Sequence, residues 1–310
     1  MERLKKIGDL RPLHSSEISE SRLGLGFEKL DRDAFDPEKA YDRVAETGVK
    51  WVRIQSGWNK TEQEKGVYHF EWLDSVVDNL VRRGLKPWVC LCYGNAVYDE
   101  LARQNYGAVG CAPNRSPEMK QAWHDYVVRT VSRYKDRVHE WEIWNEPDGA
   151  YCWKTGPSGT EYGLFAVDTA KAIREADPGA YIIGGVVCKK LLGFLNDAFL
   201  TGMGEWINAV SFHEYTADES SVPDTVRVYK AIADLYNDKI EIIQGETGSQ
   251  SRRGGHGAVA SGSWTPMKQA KQLLRHAVID LKSGCRFSST FFLPGYEGSA
   301  AWRHRRCLLL

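Results

Sequence analysis

The sequence has no surplus of charge of either sign, and it lacks long apolar runs. Its 41 Lys and Arg balance 41 Asp and Glu over 310 residues, so the charge does not favour nucleic acid or an anionic membrane as a partner. No apolar run approaches the roughly 18 residues that cross a bilayer. Residues 1–6 include three basic residues, but no apolar stretch follows them. We therefore expect no secretory signal and a cytoplasmic protein.

Cysteine motifs are also missing. The seven cysteines are odd in number and include no Cys-x-x-Cys pair, and Cys90, Cys92 and Cys188 lie inside apolar runs. This pattern favours buried thiols over a disulfide framework. No His/Cys group shows zinc-ligand spacing, so we expect no metal and no cofactor.

An alternation of strand-like and helix-like segments fills the chain. Eight short runs are rich in Val, Ile, Trp and Phe and nearly continuous, as expected of parallel strands covered on both faces. They are residues 23–27, 51–55, 87–93, 139–144, 181–187, 209–213, 240–244 and 287–293. Amphipathic stretches of helical period lie between them, at residues 37–47, 71–83, 116–134, 162–175, 224–236 and 266–281.

Eight strands with crossover helices predict an α/β fold, a single (β/α)₈ TIM barrel, which typically takes about 250 residues. An open doubly wound sheet is disfavoured, because Gly24 and Gly26 lack the third glycine of a dinucleotide-binding turn. We expect one catalytic domain over residues 1–310 with an N-terminal extension at 1–22. The tail at 294–310 is short for a full helix, so the eighth βα unit is expected to be truncated.

Two carboxylates stand where strands give way to loops, which is where barrel active sites lie. The fourth strand ends in Trp144-Asn145-Glu146-Pro147, and the seventh ends in Gln244-Gly245-Glu246-Thr247. The two strands are three βα units apart, so Glu146 and Glu246 are predicted to face each other across the barrel mouth. Two opposed carboxylates, one protonated and one ionised, are the minimum equipment for cleaving a glycosidic bond.

These strand ends resemble the clan A glycoside hydrolases. The Trp144-Asn145-Glu146-Pro147 segment resembles the clan's acid/base signature, and Glu246 matches its strand-seven nucleophile. Arg53 resembles the strand-two arginine that hydrogen-bonds the nucleophile. His213 and Tyr215 in Phe212-His213-Glu214-Tyr215 resemble the strand-six His/Tyr pattern.

A narrower resemblance points to family 39, the branch that includes β-xylosidases and α-L-iduronidases. It rests on residues 57–62, residues 66–74 and Asp148, which extends the motif to Asn-Glu-Pro-Asp. The resemblance covers about residues 23–293, nearly the whole chain. It implies a retaining glycoside hydrolase that acts on oligo- or polysaccharides.

The resemblance also implies roles for individual residues. Glu146 would be the acid and then the base, with a pKa raised by apolar surroundings and by the charge on Glu246. Arg53 and Tyr215 would donate hydrogen bonds to Glu246, the nucleophile. Asn145 would bond the sugar 2-hydroxyl, and His213 would contact the substrate.

Some of these residues have competing explanations. Arg53 could instead form a structural ion pair with Glu142 or Glu140. Glu241 and Glu214 are the nearest rivals of Glu246. Glu241 lies at the wrong end of its strand, however, and Glu214 sits between the two residues of the His/Tyr pattern.

Further substrate contacts are expected from side chains on the βα loops. Trp58, Trp264 and Tyr296 are candidates to stack on sugar rings, and Asn95 could bond a hydroxyl. Packing within the loops is the alternative role for each. Trp264 is favoured because it follows a glycine- and serine-rich stretch at 254–263.

The sequence therefore predicts a retaining, exo-acting, β-xylosidase-like glycoside hydrolase with a carbohydrate substrate. Pocket-forming loops at 94–115 and 248–265 favour exo action. Two alternatives stay open: a non-hydrolytic carbohydrate-binding barrel, inactive through truncation, and a metal-dependent barrel enzyme. The second would use Glu146, His213, Glu214 and Glu246 as ligands. The sugar, the linkage and the oligomeric state are left undetermined.

Overall fold

The computed structural model describes residue 8, residues 11–254 and residues 258–291. Within these ranges eight parallel strands pair in sequence order, and β8 pairs with β1, which closes a barrel. This confirms the predicted (β/α)₈ TIM barrel. The strands are β1 (Leu23–Gly26), β2 (Trp51–Gln55), β3 (Lys86–Leu91), β4 (Glu140–Ile143), β5 (Tyr181–Val187), β6 (Ala209–His213), β7 (Glu241–Thr247) and β8 (Ser288–Phe291).

Helices lie between successive strands, as the crossover rule for parallel strands requires. In the described residues they are α1 (Tyr41–Glu46), α2 (Trp58–Thr61), α3 (Glu71–Arg82), α4 (Glu100–Arg103), α5 (Pro117–Tyr134), α6 (Gly159–Ala176), α7 (Leu192–Leu200), α8 (Val222–Asp234) and α9 (Pro266–Lys282). Ser116 and Thr265 cap α5 and α9: each side chain accepts a hydrogen bond from a backbone N–H group in the first turn of its helix. Pro follows each cap at the first helical position.

The structure differs from the sequence prediction at several elements, including the short helices α2 and α4, which were not predicted. The stretch at 37–47 is not one helix but a 3₁₀ turn, Pro37–Lys39, followed by α1. Helix α7 was not predicted, because exposed Leu192 and Leu200 put apolar residues on both of its faces and obscure its period. Strand β7 continues three residues beyond the predicted end at 244.

Part of the N-terminal extension packs across the amino-terminal end of the barrel. The Ser15 hydroxyl reaches the carbonyl oxygens of Ala45, at 3.0 Å, and Val49, at 2.6 Å. The indole N–H of Trp51 donates to the Ser21 carbonyl at 2.9 Å. These bonds join the segment before β1 to the start of β2, so it is part of the fold.

The barrel interior is apolar at its amino-terminal end and polar towards the mouth. A cluster of buried side chains, here called the basal cluster, fills the amino-terminal end: Trp51, Trp88, Ile183, Ala209, Ile243 and Phe287. The Trp88 indole N–H donates to Glu142 Oε2 at 3.1 Å, which joins this cluster to the next layer. That layer contains the fully buried Arg53, Glu142 and Ser211. Charge inside a barrel has to be paired, and this pairing shapes the site described below.

Three further expectations concern the cysteines, membrane-spanning helices and the C-terminal tail. The cysteines within the described ranges are free thiols; Cys90 and Cys92 are buried, and Cys188 is half-buried. No helix in these ranges is both long and apolar enough to cross a bilayer. The tail at 294–310, and with it the expected truncation of the eighth unit, lies outside the described residues.

Truncating the basal cluster should destabilise the barrel. The Phe287 ring lies 5.0 Å from Trp51 and 4.7 Å from Trp88 between centroids, and it is 1% exposed. We expect Phe287→Ala to lower the free energy of unfolding by about 3–5 kcal/mol, measured by urea denaturation. Leu274→Ala, on an exposed face of α9, is the control and should change it by less than about 0.5 kcal/mol. Equal losses in the two variants would contradict this account of the barrel interior.

Candidate active site

The two predicted carboxylates converge at the carboxyl-terminal mouth of the barrel. Glu146 follows β4 in a tight turn in which Trp144 and Glu146 both have positive φ, 67° and 48°. The turn is held by the Trp144 indole N–H, which donates to the Cys152 carbonyl at 2.8 Å. Non-glycine residues in this region are strained and concentrate at functional sites. Glu246 is the penultimate residue of β7.

Oxygens of Glu146 and Glu246 and a ring nitrogen of His213 lie within 4.8 Å of one another. His213 Nδ1 is 3.0 Å from Glu146 Oε1 and 3.6 Å from Glu246 Oε2. The two carboxylate side chains keep some solvent access, 24% and 13%, whereas His213 is fully buried. The ring therefore bridges the two carboxylates from beneath, and the open side is left for a ligand.

Arg53 lies at the centre of the polar layer and contacts four acceptors. Its Nη1 is 3.0 Å from Glu246 Oε2 and 3.2 Å from Glu28 Oε1. Its Nη2 donates to Asn145 Oδ1 at 2.8 Å, and Nε donates to Glu142 Oε1 at 3.0 Å. Both proposed roles of Arg53 thus hold together, with Glu142 rather than Glu140 as its structural partner.

The charge of Arg53 is secured by these partners. Burial disfavours the guanidinium, but the negative charges of Glu142, Glu28 and Glu246 outweigh burial and hold its pKa well above the ordinary value. A buried cation of this kind is strongly destabilising if a partner is removed.

Glu146 has the opposite pKa shift from the expected one. Burial raises the pKa of Glu146, but the hydrogen bond and charge of His213, with the charges of Arg53 and Lys189, lower it below its usual value. For His213 the effects are reversed: burial lowers its pKa, but Glu246 and Glu146 together raise it above the usual value. The expectation of a raised Glu146 pKa is wrong, because the hydrogen bond and charge of His213, with the charges of Arg53 and Lys189, outweigh the effect of burial.

Tyr215 contacts Glu246, and Asn145 lies beside Arg53. The Tyr215 hydroxyl donates to Glu246 Oε1, so Glu246 is held at one oxygen by Tyr215 and at the other by Arg53. Asn145 Oδ1 accepts a hydrogen bond from Arg53, and Asn145 Nδ2 lies 3.5 Å from the thiol of Cys152. A thiol is a weak acceptor, which leaves Nδ2 as the atom that can donate to a ligand.

Two predicted substrate contacts are corrected by the structure. Trp58 has no exposed surface; its indole N–H donates to Glu62 at 2.6 Å, and its ring stacks on Tyr98 and Tyr126. Asn95 is also buried, with its Nδ2 donating to the Glu62 carbonyl at 2.8 Å. Both residues pack the β2 and β3 loops together and present nothing to a ligand.

The remaining aromatic candidates stay predictions. Trp264 is largely buried in the loop after β7, where its indole N–H donates to the Val259 carbonyl at 2.7 Å. Tyr296 lies outside the described residues.

Asp148, the last residue of the Asn-Glu-Pro-Asp motif, accepts hydrogen bonds from the backbone N–H groups of Cys188 and Lys189 at 2.9 and 2.7 Å. It thereby joins the loops that follow β4 and β5.

The rival carboxylates are engaged elsewhere. Glu241, at the start of β7, contacts Tyr181 and Arg286. Glu214 is held by Lys190 and by the Ser221 hydroxyl. Glu214 is therefore not part of the convergent group; among the described residues, the group that could hold a metal is Glu146, His213 and Glu246.

One carboxylate of the site was missed by the sequence reasoning. Glu28 lies two residues after β1 and is 1% exposed, yet it contacts Arg53. The sequence feature that could have identified it is its position, since it is an acidic residue two positions after the Leu-Gly-Leu-Gly strand. A strand-end carboxylate is the same signal that identified Glu146 and Glu246.

The fold and the site together define a TIM-barrel protein of the clan A glycoside hydrolase type. The family model "Glycosyl hydrolases family 39" matches residues 33–238, and the chain belongs to this family. The match spans the strands that carry Arg53, Glu146 and His213.

Individual relatives agree with this assignment. A β-xylosidase of Geobacillus stearothermophilus is 27% identical over 164 residues, which are 49% of this chain and 32% of that protein. The β-galactosidase BgaA of Clostridium cellulovorans is 29% identical over 42% of this chain and 22% of its own. The aligned region thus spans a third or less of these curated relatives.

Solved structures share the fold. A family 39 glycoside hydrolase from Bacteroides cellulosilyticus WH2 superposes with a TM-score of 0.67 at 18% identity, covering 87% of this chain and 56% of the other. A family 39 β-xylosidase from Caulobacter crescentus has a TM-score of 0.62, also at 18% identity, covering 87% and 61%. At these identities the likeness concerns the barrel alone.

Removing the tyrosine hydroxyl should weaken the hold on Glu246. A hydrogen bond to a charged group contributes about 1.5–3 kcal/mol, so we expect Tyr215→Phe to lower kcat/KM roughly tenfold to a hundredfold. The measurement is the initial rate of nitrophenyl glycoside hydrolysis, the activity proposed below. Tyr236→Phe, whose hydroxyl contacts Asn196 on the surface, is the matched control. An unchanged rate in Tyr215→Phe would show that this bond does not serve Glu246.

The His213 interaction should also be visible in stability. Because its folded pKa is raised, its stabilisation is fully present below the unfolded value, about 6.5, and is lost as pH rises through the higher folded value. Wild-type Tm should therefore fall relative to His213→Asn as the pH rises above about 6.5. Calorimetry at several pH values measures this difference. A Tm difference that stays constant across that window would contradict the raised pKa.

Proposed function

We propose that this chain is a retaining glycoside hydrolase, with Glu246 as nucleophile and Glu146 as acid and then base. The observation that carries the proposal is the approach of the two carboxylates, whose nearest oxygens are within 4.8 Å. Retaining enzymes hold their carboxyl groups about 5–5.5 Å apart, whereas inverting enzymes leave roughly 6.5–9.5 Å for a water molecule. The spacing supports double displacement.

In the first step, Glu246 attacks the anomeric carbon and the bond to the departing oxygen breaks. Arg53 and Tyr215, one on each carboxylate oxygen of Glu246, aim the nucleophile and keep it from rotating. Glu146 gives a proton to the departing oxygen, and a glycosyl ester forms on Glu246. In the second step, Glu146 takes a proton from water, which attacks the same carbon and releases the sugar.

The proton for the first step is shared between Glu146 and His213. Their 3.0 Å contact makes them titrate as a pair, in which the pKa of Glu146 is lowered and that of His213 is raised. A bound sugar ring that excludes water from Glu146 favours the neutral carboxylic acid. The proton then crosses one hydrogen bond to reach the residue that donates it.

The proposed substrate is a β-linked glycoside cleaved from its end, with a β-xyloside as the first choice. Support comes from the β-xylosidase relatives and from the long segments that follow β3 and β7, of which residues 94–115, 248–254 and 258–265 are described. Asn145 Nδ2, unmatched by a strong acceptor, is proposed to donate to the sugar 2-hydroxyl, and Trp264 to cover the sugar ring. A non-hydrolytic carbohydrate-binding barrel is the alternative. It is less favoured, because both carboxylates keep the contacts that catalysis requires.

A panel of nitrophenyl glycosides tests the proposal. We expect release of nitrophenol from at least one sugar, and we expect Glu246→Ala to lower the rate by about a thousandfold or more. Proton NMR of the first product should show the β-anomer, since two displacements retain configuration. Glu241→Ala, a change in the same strand at the far end from the site, is the control for general damage and should retain turnover.

Two outcomes would contradict the proposal. A first product of inverted configuration would remove Glu246 as nucleophile. Tight sugar binding by calorimetry, with no turnover on nitrophenyl glycosides or on xylo-oligosaccharides, would favour the binding barrel instead.

A further inference from the structure

Glu28 occupies a place in the active-site network that neither the family motifs nor the proposed mechanism uses. Its Oε1 accepts from Arg53 Nη1 at 3.2 Å, and the same Nη1 reaches Glu246 Oε2 at 3.0 Å. One guanidinium nitrogen is thus shared between Glu28 and the proposed nucleophile. Glu28 is 1% exposed, so this contact is shielded from bulk solvent.

The backbone of β1 is adapted to Glu28. A side chain at Gly26 would overlap both carboxyl oxygens of Glu28, so the carboxyl group lies directly over the glycine. Only glycine leaves that space. The second oxygen, Oε2, is buried and has no hydrogen-bond partner in the described part of the chain. A buried ionised carboxylate with one oxygen unmatched is costly, whereas the neutral acid costs far less.

Charge counting leads to the same conclusion. Arg53 faces the carboxyl groups of Glu28, Glu142 and Glu246, and His213 contacts Glu146 and Glu246. Even with His213 protonated, four ionised carboxylates would leave an excess of two negative charges around these two groups. Burial, together with the charge of Glu246, raises the pKa of Glu28 to about 8, against the opposing effect of Arg53.

Two further groups face Glu28 and bear on its titration. Tyr215 lies near enough for its pKa to be raised by Glu28 as well as by Glu246, although burial is the largest cause. The pKa of the neighbouring Lys29 is lowered, mainly by burial, with Arg32 acting in the same direction and Glu246 and Glu28 opposing it. Tyr215 does not ionise before Glu28, because its pKa is shifted well above its usual range.

We propose that Glu28 is a positioning residue for the nucleophile: as a neutral acid it holds Arg53 Nη1 against Glu246, and its ionisation draws the guanidinium away. This inference rests on the proposed function of Glu246. When Glu28 is neutral, it is a weak acceptor and Arg53 favours the charged nucleophile. When Glu28 ionises, it competes for Nη1 and repels the Glu246 carboxylate.

The kinetic test uses the 2,4-dinitrophenyl glycoside of the sugar that the panel identifies. Its leaving group needs no proton, so the ionisation of Glu146 drops out of the pH dependence of kcat/KM. The wild-type protein should lose kcat/KM above about pH 8. Glu28→Gln, which keeps the acceptor and cannot ionise, should lack this fall. Glu28→Ala should lower kcat/KM about tenfold at pH 6, and Glu28→Gln should restore most of that loss.

A thermal test is independent of activity. A carboxyl group whose folded pKa is raised stabilises the fold fully below its unfolded pKa, about 4.3, and this stabilisation is lost as pH rises to the folded value. The Tm of Glu28→Gln minus that of wild type should therefore grow between pH 5 and pH 8. Glu118→Gln, an exposed glutamate paired with Lys65, is the control and should show no such growth.

The outcomes separate the two proposals. An alkaline fall that persists unchanged in Glu28→Gln, or a Tm difference that is flat with pH, would overturn the role of Glu28. A wild-type protein inactive on every glycoside would overturn the proposed function and the positioning role with it. In that case a growing Tm difference would still establish that Glu28 is neutral against Arg53.

Discussion

The buried guanidinium of Arg53 is the constraint on which the rest of the site depends. It has no solvent exposure, so each of its N–H groups needs a protein acceptor and its charge needs a counter-charge. Arg53 lies on β2, and its partners come from three other strand ends. They are Glu28 after β1, Glu142 and Asn145 at the end of β4, and Glu246 on β7. Arg53 therefore fixes the relative positions of four strand ends at once. An exposed cation at the mouth would leave those strand ends without a common reference.

The same constraint governs ionisation. Arg53 and His213, both buried, lie among Glu28, Glu142, Glu146 and Glu246. The pKa values of Glu146 and His213 depend on these neighbours, which explains why they shift in opposite directions. A site of this kind responds to a proton or to a bound ligand as one unit, because moving one charge changes the balance for all.

Sequence reasoning reached the strands, the opposed carboxylates and Arg53, because these follow from apolar runs and from polar residues at strand ends. It failed for Trp58 and Asn95, since their burial depends on how the β2 and β3 loops fold against α5, and no periodicity encodes that. It also failed for the direction of the Glu146 pKa. Burial was anticipated from the apolar surroundings, but the 3.0 Å contact with His213 that outweighs it exists only in three dimensions.

Two glycines show how charge fits inside so narrow a barrel. Gly26 and Gly245 lie in strands, where glycine is ordinarily unfavourable by roughly 0.5–1 kcal/mol. A side chain at Gly245 would overlap Ser211 Oγ and lie 3.2 Å from His213 Nε2, and one at Gly26 would overlap the Glu28 carboxyl. An eight-stranded barrel has room for little more than its own side chains. The large polar groups of this site fit inside the barrel because Gly26 and Gly245, beside them, have no side chains.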